Sequence, residues 1–142
     1  MERKYHERLS QARIDRVCQI LYGELFQQEA FLQQGLTARM VAERNGITLQ
    51  DISAVCSEYF GDNFPMLLQR LRVKRVCRLL SSKEYERVSC ENIGLRCGFS
   101  SRQSLHNAFR RQKGMTPEEY RKQNLNNNEK NSNTNDSGTV YG

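Results

Sequence analysis

Apolar residues recur at helical spacing along most of the chain, and Gly, Pro, Ser and Thr punctuate them. Leu9, Val17, Ile20, Leu21 and Leu25 fall near one face of an amphipathic helix expected over residues 5–28. Gly35 breaks that pattern. A short helix is expected over about 37–45, with Thr37 as its N-cap and Gly46 as its terminator. Thr48 opens the next helix, and Asp51 three residues on makes a weak capping box. This helix buries Ile52, Val55 and Cys56 and stops at Gly61.

A long helix follows over 64–81, with Pro65 in its first turn. Its apolar residues change face along its length. Leu67, Leu68 and Leu71 form one stripe, and Val73, Val76, Cys77 and Leu80 form a second. At about 100° per residue the two are rotated by roughly half a turn. Arg70, Arg72, Lys74, Arg75 and Arg78 exclude full burial. Such a helix is a bridge with each end packed into a different subdomain.

After the bridge the first half's punctuation returns, shifted by 52–53 residues. Gly46 recurs as Gly98, Thr48 as Ser100, Ile52 as Leu105, Cys56 as Phe109 and Gly61 as Gly114. A short helix, a tight turn and a longer capped helix, used twice, describe a pair of helix-turn-helix motifs. The second copy carries Ser100 with Gln103 as the expected cap of a helix over 101–113, then Thr116-Pro117-Glu118-Glu119 opening a final helix. Beyond Gln123 the sequence NLNNNEKNSNTNDSGTV is too polar to bury anything and is expected to be disordered.

The fold expected is therefore all-α: two helix-turn-helix subdomains joined by one long bridging helix, with an extra N-terminal helix and a disordered C-terminal tail. The boundaries are an N-terminal helix and connector over 1–35, a helix-turn-helix domain over 36–123 and a tail over 124–142. Within the domain, the first motif spans 36–61, the bridge 64–81, the second motif 89–114 and the final helix 117–123.

Composition and charge then narrow the class. No apolar run is long enough for a membrane span, and the charged start MERKYHERLSQ lacks the apolar core of a signal peptide, so a cytoplasmic location is expected. The five cysteines form no CxxC pair and fall where the helices want small apolar residues. The net charge of +6 is unevenly placed. Residues 1–68 hold 7 Lys/Arg against 9 Asp/Glu, whereas residues 69–122 hold 14 against 5, a net of +9. A polyanion should engage the second half.

The candidate chemistry lies on the second recognition helix. Leu105, Ala108 and Phe109 make its buried face, which leaves Gln103 and Asn107 pointing away, Ser104 and His106 on the shoulders and Arg102 in the first turn. Arg pairs bidentately with guanine, and Asn or Gln with adenine, so these five are the expected base readers. Ser100, Ser101, Arg110, Arg111 and Lys113 are the expected phosphate contacts. The first motif offers Leu49, Gln50, Asp51, Ser53 and Ala54 to the groove. Of these, Gln50 and Ser53 are the expected readers, while Asp51 and Glu58 repel phosphates, so this motif is either mainly structural or a weak reader of DNA.

The run IGLRCGFSSRQSLHNAFRRQKGMTPEEYR over 93–121 resembles the C-terminal signature of AraC/XylS-type transcription regulators. The matching features are Gly98-Phe99-Ser100, Leu105, Phe109, the basic pair, Gly114, Thr116-Pro117 and Tyr120-Arg121. In the bridge, Arg72-Val73 and Cys77-Arg78-Leu79-Leu80 resemble the family linker, and coverage runs from about Leu36 to Gln123. The resemblance implies recognition helices entering successive major grooves on one face of duplex DNA. It also implies control of transcription near promoters, often activation, with RNA polymerase as the further partner. The first motif departs from the pattern. Cys56 stands where a large aromatic is usual, and Ser57-Glu58 replace basic residues.

An enzyme is disfavoured. The two histidines, His6 and His106, have no cysteine beside them, no glycine-rich phosphate loop is present, and Cys90, Cys97 and His106 lack zinc-site spacing and a fourth ligand. No metal or cofactor is implied. The rival class is a helical protein-interaction module on the same scaffold. The chain reads either as a stand-alone regulator or as the output domain of a longer receptor.

Overall fold

The computed structural model describes residues 10–125, and no strand occurs among them. The chain divides between Leu71 and Arg72 into two compact units. That division falls where the apolar stripe of the long helix changes face.

In the first unit, helix α1 (Gln11–Leu21) is capped by Ser10, whose hydroxyl accepts from Arg13 N at 3.2 Å. It widens into a π-helical turn over Tyr22–Gln27. The helix expected over 5–28 is thus α1 plus this turn, and residues 5–9 lie outside the described residues. Glu29 takes a left-handed conformation that turns the chain away. Helix α2 (Ala38–Asn45) is capped by Thr37, and Gly46, at φ 66°, closes it with its N–H on Ala42 O. The left-handed φ is what a residue without Cβ adopts at low cost, and it makes the sharp turn of the motif. Helix α3 (Leu49–Val55) starts at Thr48 and widens into a second π-helical turn, Cys56–Phe60. The two wide turns converge. Phe26 stacks on Tyr22 at 5.4 Å and on Phe60 at 6.1 Å.

The core of this unit is Val17, Leu21, Leu25, Val41, Ile52 and Val55, completed by Phe64, Leu67 and Leu68 from the start of helix α4 (Phe64–Leu80). Each such side chain contributes about 1.5–3 kcal/mol when fully buried. A buried carboxylate sits at its edge. Glu24 accepts from Arg44 Nε at 3.1 Å and Nη2, and from Asn45 Nδ2, so its charge is matched by a guanidinium and an amide.

The second unit holds the rest of α4, which buries Val73, Val76, Cys77 and Leu80. A short 3-10 turn, Lys83–Tyr85, leads to helix α5 (Cys90–Arg96), capped by Ser89. Helix α6 (Arg102–Lys113) follows a five-residue turn, and helix α7 occupies 117–125. Gly94 explains how closely α5 and α6 pack. A Cβ there would lie 2.8 Å from Leu105 Cδ2, inside van der Waals contact. Thr116 caps α7 by accepting from Glu119 N at 3.1 Å. Tyr120 meets Phe109 edge to face at 5.4 Å, and Arg121 Nη2 donates to Val88 O at 2.6 Å. The Tyr120-Arg121 pair therefore holds α7 against α6 and the loop before α5. Asn124 and Leu125, expected in the tail, continue α7, and residues from 126 onward lie outside the described residues.

Candidate nucleic-acid interface

The second motif presents a polar face on a rigid support. Leu105 and Phe109 are fully buried and Ala108 nearly so, which fixes the rotation of α6. Arg102, Gln103, Asn107, Arg110, Arg111 and Lys113 are exposed. Gln103 Nε2 donates to Asn107 Oδ1 at 3.0 Å. That bond links the two exposed side chains one turn apart and does not use the Gln103 carbonyl or the Asn107 N–H groups. Donor and acceptor side by side are what an adenine edge in a major groove requires.

Two of the expected base readers are placed differently. Ser104 is half-buried and committed to the helix start. It accepts from Ser101 N at 3.2 Å and donates to Ser101 O at 2.9 Å, while Ser101 Oγ accepts from Ser104 N at 3.0 Å. This reciprocal box makes Ser101 the cap, one residue beyond the expected Ser100 and Gln103, and α6 begins at Arg102. Ser100 stays exposed ahead of it. His106 leans toward α7. Its side chain is 21% exposed, and Nε2 lies 3.4 Å from Glu118 Oε1 without hydrogen-bond geometry. The outward face is thus narrower than the sequence suggests.

In the first motif, α3 exposes Leu49, Gln50 and Ser53, and the wide turn after it exposes Ser57. Ala54 and Asp51, expected in the groove, are buried. Asp51 lies beneath α1, where Arg13 Nε reaches Oδ2 at 2.8 Å. Burial with a guanidinium partner takes this carboxylate out of the face that would meet phosphates. Sequence reasoning missed the pair because it joins residues 38 positions apart. The only sequence signal was an arginine on a helical face opposite a lone Asp.

The cysteines carry no reactive chemistry here. All five are free thiols, and four are buried. Burial pushes Cys56 and Cys97 up to about 11, and it raises Cys18, Cys77 and Cys90 as well. A thiol shifted this way stays protonated near neutrality and packs as a small apolar group.

Residues 41–123, more than half of the chain, match the family model of a helix-turn-helix domain. The chain belongs to the AraC-type helix-turn-helix family. Solved structures of AraC-type folds align along most of its length. It is 26% identical to the C-terminal domain of AraT, a response regulator from Geobacillus stearothermophilus, with a TM-score of 0.64 over 82% of this chain and 88% of that one. It has the fold of an AraC-type transcriptional regulator from Chromobacterium violaceum, at 24% identity and a TM-score of 0.62 over 80% and 93%. A protein of unknown function from Listeria innocua shares the fold at 21% identity and a TM-score of 0.60, over 77% and 94%. No curated protein matches the chain. The AraC-type match begins inside α2, so α1 and its wide turn lie before the matched segment. Among the described residues, no helix is long and apolar enough to cross a membrane.

Proposed function

We propose that this AraC-type regulator reads duplex DNA mainly through α6, with Gln103 and Asn107 on base edges and Arg102 beside them. The observation that carries this is the bonded Gln103–Asn107 pair, exposed on a helix whose opposite face is locked by Leu105 and Phe109. Ser100, Ser101, Arg110, Arg111 and Lys113 surround the pair as phosphate contacts, which set register without reading sequence. The excess of cations in residues 69–122 supports the same face. Gln50 and Ser53 on α3 are the readers of the first motif. Its smaller polar face gives it the lesser share of specificity.

The output is control of transcription in the cytoplasm, by activation at promoters with RNA polymerase as partner, from a stand-alone regulator or the output domain of a longer receptor. Selection of bound sequences from a random duplex pool tests the reading. Asn107→Ala should cost about 1–3 kcal/mol on the selected site and relax preference at one position. An equal loss on every base variant would show that α6 does not read sequence.

A further inference from the structure

The first motif has a polar reading face but no cation on it. The exposed residues of α3 are Leu49, Gln50 and Ser53, followed by Ser57 and Glu58 in the wide turn. A motif that docks on DNA needs at least one positive group held near the backbone, because phosphate attraction supplies much of the affinity and fixes register.

The described part of the first unit contains five arginines: Arg13, Arg16, Arg39, Arg44 and Arg70. Three face carboxylates. Arg13 meets Asp51 at 2.8 Å, Arg70 meets Asp62 at 2.8 Å, and Arg44 meets Glu24. Arg39 is exposed in the first turn of α2, at the end away from Gly46. Arg16 is held in another way. Its Nη2 donates to the carbonyl of Asn45 at 3.3 Å. Asn45 is the last residue of α2, and Gly46 begins the turn into α3. A guanidinium has five N–H donors, and a carbonyl takes one without cancelling the charge. Arg16 is therefore a positive group fixed to the turn of the motif by a neutral partner.

Its surroundings leave room for an anion. Arg13 and Arg16, one turn apart on α1, border an open hollow of about 400 Å³, with Gly46, Ile47, Thr48 and Asp51 opposite. Within it two guanidiniums face one carboxylate, and that carboxylate is buried against Arg13. Asp15, the neighbouring acidic residue on α1, is exposed, accepts from Gln11 Nε2 at 2.8 Å and does not line the hollow. The lining itself carries two guanidiniums against one carboxylate.

We propose that Arg16, seated at the Asn45–Thr48 turn, is the phosphate-binding residue of the first motif, taking an oxygen of the DNA backbone beside the groove that α3 faces. Arg13 is a positioning residue. It neutralises Asp51 and so keeps the hollow attractive to an anion. The cation missing from α3 is thus delivered by α1, which lies outside residues 41–123. This inference rests on the DNA-binding reading above and adds a second anchoring point to it.

The test uses the full chain on a selected duplex, comparing wild type with Arg16→Gln and Arg16→Lys. Arg16→Gln keeps a donor for Asn45 O but removes the charge. It should weaken binding by about three- to tenfold on every base variant alike, and make the log–log salt plot shallower by about one. Arg16→Lys should restore most of the salt slope. Neutral methylphosphonate linkages, scanned along the site, should reveal one position that weakens wild type but not Arg16→Gln. Wild-type affinity and slope in Arg16→Gln, with an unchanged melting temperature, would overturn the inference while leaving DNA binding intact. A change of base preference would overturn it too, since a phosphate contact cannot cause one. Failure of wild type to prefer any duplex would remove the functional reading and this site with it.

Discussion

Asp51 Oδ2 lies 2.8 Å from Arg13 Nε, so the recognition helix of the first motif is tied to α1 through a carboxylate whose side chain is only 3% exposed. Arg13 is half exposed, so water softens the loss when it is removed, but Asp51 would remain buried without its cation. Arg13→Ala should cost about 1–3 kcal/mol of stability. Adding Asp51→Ala should recover much of that, because the stranded charge is then gone. Chemical denaturation of the four members of this cycle measures the coupling. Strictly additive losses would mean that the pair contributes nothing.

Gly94 faces Leu105 across the second motif, with Leu105 Cδ2 2.8 Å, Cγ 3.3 Å and Cβ 3.4 Å from where a Cβ would stand. The end of the leucine can rotate, but its root belongs to the helix that presents Gln103 and Asn107. Gly94→Ala gains about 1 kcal/mol of helix propensity and loses about 1–3 kcal/mol to overpacking. The expected outcome is a lower melting temperature together with weaker DNA binding. A stabilised Gly94→Ala protein would show that α5 and α6 have slack between them.

Much of this architecture is legible in the sequence because it is local. Thr37 and Thr48 announce helix starts by residue type and spacing, and the change of face between Leu71 and Val73 marks the division into two units. The buried trio Leu105, Ala108 and Phe109 follows from helical period alone. Other features depend on contacts that no local pattern encodes. Asp51 looks like an exposed first-turn acid until Arg13 is placed above it. Ser100 and Ser101 are equally good caps by type, and the hydroxyl of Ser104 decides between them. His106 sits on a shoulder of α6 by periodicity, but α7 brings Glu118 beside it. Of the five expected base readers, Arg102, Gln103 and Asn107 are the exposed ones, while Ser104 and His106 are half-buried.

Cys56 and Cys97 should couple stability to alkaline pH. Burial raises each from 9.0 to about 11, so the folded state holds these protons more tightly than the unfolded chain does. Their contribution is fully present below about pH 9 and is lost as pH rises toward 11. Stability of wild type should therefore fall across that window more steeply than stability of the Cys56→Ala/Cys97→Ala variant. Urea midpoints at several alkaline pH values provide the comparison. Parallel curves for the two proteins would mean that the thiols do not titrate differently on folding.

Sequence-selective binding of duplex DNA through a cationic second motif is what the proposed function requires of this AraC-type chain. Its most direct test is an affinity titration of wild type on a selected duplex and on a scrambled one, repeated at several salt concentrations. Three or more phosphates neutralised around Arg110, Arg111 and Lys113 should give a log–log slope of about −3 or steeper, at about 0.9 per phosphate. The selected duplex should bind at least about 10³-fold more tightly than the scrambled one. A flat salt plot, or equal affinity for the two duplexes, would contradict the account.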